Sequence, residues 1–176
     1  MTLTAEPDAG LSPAGIDPHL FLNLLRRHAS AVTVVTAPPT AGLPQVGFTA
    51  TSFTSVSLRP QIVSFCLDRD STSWPTVERA PHVAVHVLAA GQRALARNFA
   101  TRGIDRFADT ATWRRGPYGM PLLQGVAATL VAEVIDRVHV GDHAIVLARP
   151  ITGHHTNAAP LLYHDGGYHR IGEADA

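Results

Sequence analysis

Hydroxyl side chains crowd the segment between Gly47 and Pro60, at Thr49, Thr51, Ser52, Thr54, Ser55 and Ser57, in a run whose other members include Phe48, Ala50, Phe53, Val56 and Leu58. Small hydroxyl residues let backbone N–H groups come close to a flat molecule, and each hydroxyl donates or accepts by rotating. A second cluster, Ser71-Thr72-Ser73 before Trp74-Pro75, has the composition of a helix start, with Ser73 as N-cap and Pro75 in the first turn. Free amides and the helix dipole at such a start favour a phosphate. The two clusters together describe a site for a flat polar molecule with a phosphate tail. A Thr/Ser-rich edge strand and an ordinary helix cap account for the same residues without a ligand.

Other chemistry is thinly represented. Arg106-Phe107 pairs a cation that could reach a phosphate with an aromatic that could cover a ring; an exposed Arg beside a loop-anchoring Phe fits the same dipeptide. His143 follows Gly141-Asp142, where Asp142 could orient the imidazole or simply favour a turn. Ten histidines invite a metal. However, four residues of extended strand separate His139 from His143 by about 13 Å, and the short ligand spacings of zinc sites are missing, so no metal site is expected. No Gly-x-Ser-x-Gly elbow and no Gly-x-Gly-x-x-Gly fingerprint occurs, which argues against a serine hydrolase and a Rossmann crevice.

The elements that must position these residues are mostly strands. Asp17-Pro18 opens a helix through Leu20, Phe21, Leu24 and Leu25 that ends near His28. Ala31 to Thr36 reads as a buried strand, paired through a Pro38–Pro44 turn with Gln45 to Thr51. Val63 to Leu67 and His82 to Leu88 are further strands, with a short Trp74–Arg79 helix between them. Gly91 to Ala100 is an amphipathic helix with Leu95 and Phe99 on one face, and Thr101 to Met120 is a long loop without periodicity. Two long β runs, Val126 to His139 and Ala144 to Ile151, meet at Gly141-Asp142; a last hairpin joins Leu161–His164 to Tyr168–Ile171. This order suggests a mainly β protein, a barrel with a few peripheral helices.

With 176 residues, 45% of them hydrophobic, the chain is expected to form one domain from residue 17 to 176 behind a loose tail of residues 1–16. Fourteen basic residues balance fourteen acidic ones, so no global field draws nucleic acid or an anionic membrane. No run approaches the ~20 apolar residues of a membrane span, and the first residues lack the basic start and apolar core of a secretory signal. Cys66, the only cysteine, lies between Phe65 and Leu67, which points to a buried thiol and, with no internal disulfide possible, to a reducing cytoplasm.

The motifs Phe48-Thr49-Ala50-Thr51-Ser52-Phe53-Thr54-Ser55-Val56-Ser57 with Pro60, Ser71 to Pro75, Asn98-Phe99-Ala100, Arg106-Phe107, Gly141-Asp142-His143 and Pro160-Leu161-Leu162-Tyr163-His164 occur in one order. This chain resembles, from about Phe21 to Ile171, the flavin reductase family with the FMN-binding split β-barrel fold, the small reductase components of two-component flavin-dependent monooxygenases. The resemblance implies a homodimer in which NADH, or NADPH, reduces FMN or FAD for a partner monooxygenase. It implies that Thr49, Ala50, Thr51, Ser52, Phe53 and Ser55 hold the ring edge, Ser71, Thr72 and Ser73 the phosphate, and that Phe99, Arg106 and Phe107 bind cofactor. His143 would lie beside the nicotinamide as the catalytic-site residue. Hydride transfer needs nicotinamide C4 about 3–3.5 Å from flavin N5 and no proton abstraction from carbon, so His143 would orient or polarise rather than act as a base.

Thr51 and His86 stand where many members carry Asn, Ala132 where many carry Cys, and Asp165 where a basic residue is common, which leaves fine specificity open. An FMN-bound oxidoreductase acting on an organic substrate and a non-catalytic flavin carrier or sensor are the competing readings.

Overall fold

The computed structural model describes residues 15–172; of the expected tail, residues 1–14 lie outside the described part. The elements in chain order are α1 (Pro18–Leu25), β1 (Ser30–Ala31), β2 (Thr33–Ala37), β3 (Val46–Ala50), β4 (Thr54–Leu58), β5 (Gln61–Asp68), α2 (Trp74–Val77), β6 (His82–Val87) and α3 (Arg93–Ala100). They continue with β7 (Trp113–Arg115), β8 (Pro121–Leu123), β9 (Ala128–Val140), β10 (His143–His155), β11 (Leu161–His164) and β12 (Gly167–Arg170). Asp17 caps α1 as its type suggests, its Oδ1 accepting from the amides of His19 and Leu20 at 2.9 and 3.0 Å.

Seven strands form one antiparallel sheet in the order β3-β2-β6-β9-β10-β5-β4. Flat, that sheet would hold its two end strands about 29 Å apart at ~4.8 Å per strand. Yet only Thr51-Ser52-Phe53 connects β3 to β4, and four Cα steps reach at most about 14 Å. The sheet therefore rolls until its ends approach, which is what makes it a barrel. Ser52 fastens the closure, its Oγ accepting the amide of Cys66 in β5 at 2.9 Å. The hydroxyl run from Thr49 to Ser55, expected to hold the ring edge together, is thus broken by a bend, with its halves on opposite sheet ends.

Inside the barrel pack Phe48, Phe65, Trp74, Val77, Val83, Val85 and Val146. On its outside a second core gathers Val32, Val34, Leu88, Ala96, Phe99, Phe107 and Leu123 beneath α3. Both faces of β2 are therefore buried, and its two threonines are satisfied there, Thr33 Oγ1 donating to Ala50 O and Thr36 Oγ1 to Pro121 O, each at 2.7 Å. Gly47 is where α3 meets the sheet: a Cβ there would lie 2.5 Å from Phe99 Cε1, so only glycine permits that close approach.

The stretch from Thr101 to Met120, expected as a long loop from its lack of periodicity, includes the short strand β7 and is pinned by aromatic packing. The Phe107 ring lies edge-on to Phe99 and Trp113 at 5.3 and 5.4 Å, and Trp113 Nε1 donates to the Phe107 carbonyl at 3.0 Å. Three aromatics spaced eight and six residues apart anchor the segment, spacings longer than the turn of a helix or the alternation of a strand. Two small sheets, β1-β11-β12 and β7-β8, complete the fold.

Candidate functional site

A pocket of about 400 Å³ opens where the barrel closes, lined by Phe48, Thr49, Ala50, Thr51 and Ser52 from the end of β3 and the bend. Opposite them stand Cys66, Leu67 and Asp68 of β5, Ser71 before α2, and His143 at the start of β10; Phe99, Ala100, Arg102 and Arg106 come from α3 and its following turn. Eight residues expected at the site thus share one pocket: Thr49, Ala50, Thr51, Ser52, Ser71, Phe99, Arg106 and His143.

The hydroxyls divide their duties. Thr49 Oγ1 donates to the Ala96 carbonyl at 2.8 Å, tying β3 to α3, and Ser52 is committed to Cys66. Thr51, exposed in the bend, has no such tie among the described residues. The wall accordingly offers backbone and one uncommitted hydroxyl rather than a full row of them.

At one end the pocket is cationic. Arg106 is held by three oxygens of its own chain: Nη1 donates to Gly47 O at 2.8 Å and to Ser73 Oγ at 3.2 Å, and Nε donates to Thr101 O at 3.0 Å. Burial, and then the neighbouring Arg102 guanidinium, pull Arg106 below the ordinary arginine value. An anion on this side of the pocket would be attracted by both guanidinium groups. The pocket's size, its flat backbone wall and this cationic end fit a flavin with a phosphate tail.

Next to Asp68, whose strand neighbour across the sheet is His143, Gly141 takes a positive φ of 58° in the two-residue turn between β9 and β10. Arg69 pins that turn, Nη2 donating to Gly141 O at 2.8 Å and its amide to Asp142 O at 3.0 Å. His143 Nδ1–H donates to Asp142 Oδ1 at 2.6 Å, which leaves Nε2 for a ligand. The same contact holds the Asp142 carboxyl below the usual carboxylate range.

Five expected residues fall outside the lining. Phe53 packs against the barrel core, and Ser55 is exposed on the edge strand β4. Thr72 is exposed, while Ser73 is wholly buried with its hydroxyl on Arg106 rather than capping α2. Phe107 belongs to the second core. Cys66 departs from its expected burial: alternation along β5 sends Phe65 and Leu67 into the barrel and turns Cys66 to the pocket wall. Arg69, Asp68 and Arg102 were not singled out by sequence reasoning. Their only local signals are adjacency to the Ser71 cluster and a spacing of four from Arg106.

His86 and Asp165, departures from the family pattern, both lie off the pocket. His86 is buried on the outer face of the sheet, and Asp165 sits in the β11–β12 turn 3.7 Å from Arg27. A larger cavity of about 670 Å³ lies on the far side of α3. Its amides Gln92, Asn98 and Gln124 already donate to backbone carbonyls, so it offers a ligand little that is free.

Residues 25–172 match the flavin reductase like domain, and the chain belongs to that family. It is 41% identical over 151 residues to the NADH:FMN oxidoreductase of Rhodococcus erythropolis, covering 83% of this chain and 78% of that one. It is 34% identical over 163 residues to HsaB, the reductase subunit of a flavin-dependent monooxygenase from Rhodococcus jostii, with coverage of 92% and 82%. The structure of Streptomyces globisporus NADH:FAD oxidoreductase SgcE6, in complex with NAD and FAD fragments, superimposes with a TM-score of 0.84 at 33% identity, over 96% of this chain and 100% of that one.

Proposed function

We propose that this protein is an NADH-dependent flavin reductase that supplies reduced flavin to a partner monooxygenase. The observation that carries the reading is one pocket that brings together a preorganised Arg106 guanidinium, the nearby Arg102 and an oriented histidine. Bound flavin would supply the hydride acceptor and the nicotinamide the donor. Arg106, Arg102 and Ser71 would hold the phosphate, the Phe48–Ser52 wall would take the ring, and His143 Nε2 would orient the nicotinamide amide.

The test is NADH consumption by the purified protein with FMN and with FAD, followed by absorbance. Flavin-dependent turnover is expected, and His143→Ala should lower kcat/KM for NADH by about tenfold, the worth of one hydrogen bond realised in the complex. Flavin binding without turnover would give way to the carrier reading. Turnover only with an added organic substrate would give way to the FMN-bound oxidoreductase.

The working unit is a homodimer in the cytoplasm. Among the described residues, α1 buries nothing although Leu20, Phe21, Leu22, Leu24 and Leu25 are each at least half exposed. Val138 and Val140 are exposed on the β9 strand beside His143 and Ile145 of β10. A second copy covering such faces removes apolar area from water at about 25 cal/mol per Å². Sedimentation should report twice the mass of one chain; a stable monomer would remove this part of the reading. No helix among the described residues is long and apolar enough to cross a membrane.

A further inference from the structure

The pocket holds a counter-charge that phosphate binding does not call for. Arg102 and Arg106 would attract an anion most strongly with no carboxylate beside them, yet Asp68 Oδ2 lies 3.6 Å from Arg102 Nη2, and both residues line the pocket.

The two oxygens of Asp68 face different tasks. Oδ1 accepts the Asp70 amide at 2.8 Å, and the Asp68 carbonyl accepts the Ser71 amide at 3.0 Å, so this residue shapes the turn that presents Ser71. An asparagine would close that turn equally well, because its side-chain oxygen is the same acceptor at the same distance. Among the described residues, only the pair with Arg102 requires the charge. Arg106, by contrast, is fixed by neutral acceptors and stays where it is.

Resting on the reading of this pocket as the flavin site, we propose that Asp68 is a specificity-determining residue that holds Arg102 in an ion pair which an entering phosphate must displace. Asp68 thereby weakens the binding of phosphorylated flavins and keeps them exchangeable, as a reductase that hands its flavin to another protein needs. The pair faces water, with the Arg102 side chain 74% exposed, and exposed pairs of this kind shift an equilibrium by about two- to fivefold.

The experiment is a fluorescence titration of FMN and of riboflavin, which lacks the phosphate, at low ionic strength where surface charge is least screened. Asp68→Asn should tighten FMN by about two- to fivefold and leave riboflavin unmoved. In an Arg102→Ala background the same change should do nothing, since the pair it relieves is already gone. Equal tightening with and without Arg102 would mean that Asp68 merely repels phosphate and would overturn the proposal, as would equal gains for the two flavins or no gain at all. Asp68→Ser, whose hydroxyl can accept the same amide, replaces the Asn variant if the latter misfolds. Arg106→Ala separates the two levels of the argument. If it weakens FMN while Asp68→Asn changes nothing, only the role of Asp68 fails; if Arg106→Ala binds FMN as the parent does, the flavin site lies elsewhere and both fail.

Discussion

Replacing Arg106 with alanine is expected to raise the FMN concentration for half-maximal NADH oxidation by about ten- to a hundredfold, the range of a lost hydrogen bond to a charged group. Arg106 reaches the pocket from a turn after α3 and is locked by Gly47 O, Thr101 O and Ser73 Oγ before any ligand arrives. Such preorganisation leaves little side-chain entropy to be lost on binding. Removing the guanidinium also strands those carbonyls, so the variant should lose stability by about 1–3 kcal/mol. The two effects separate experimentally. Riboflavin turnover, which needs no phosphate contact, should fall much less than FMN turnover, and Arg106→Lys should recover part of the charge but not the three-way anchor. An equal loss with both flavins would assign Arg106 to the scaffold alone.

The second large effect is on stability at acid pH and centres on His86. Its Nδ1 donates to the Val34 carbonyl at 3.1 Å and its Nε2 accepts the Leu123 amide at 3.1 Å, so the buried ring rivets β8 to the sheet in one neutral tautomer. Burial lowers its pKa from 6.5 to about 4, the Val34 carbonyl opposing and nearby His154 assisting. The unfolded ring takes up a proton near pH 6.5 while the folded one stays neutral until about 4. Between those values the unfolded state binds more protons, so stability falls as pH falls and is intact above the upper one. This group alone should remove on the order of 3 kcal/mol across that window. Urea unfolding at several pH values checks it: His86→Asn should be less stable than the parent at pH 7.5, by about 1–3 kcal/mol, with the gap closing toward pH 4.5. Parallel pH profiles would exclude His86 as the source.

The longer strands, the hairpins β2–β3, β9–β10 and β11–β12, and the capped first helix were legible because each depends on near neighbours, whereas the short strands β1, β4, β7 and β8 were not. Alternation marks β6, Gly141-Asp142 marks the turn between β9 and β10, and Asp17-Pro18 marks the start of α1. The motifs that gather around the pocket were legible for the same reason, since Thr49 to Ser52, Ser71 and His143 sit at strand ends and turns, where short sequences carry recognisable composition. Local sequence also fixed which residues carry charge and which carry hydroxyls. It could not fix what those groups face.

That was decided by closure of the barrel. The bend at Thr51-Ser52-Phe53 brings β3 against β5 and joins residues about 95 positions apart into one wall, Thr49 at one end and His143 at the other. Closure spends the Ser52 hydroxyl on Cys66, and packing of α3 spends that of Thr49 on Ala96. Ser73 and Phe107 look like ligand contacts in sequence, yet one anchors Arg106 and the other fills a core. Asp68 and Arg102 carry no local sign of their relation, because an ion pair between the end of one strand and the turn after a distant helix exists only once both have been placed. Residue chemistry is a property of the sequence; which of it remains free for a ligand is set by the hydrogen bonds and packing that the tertiary fold uses first.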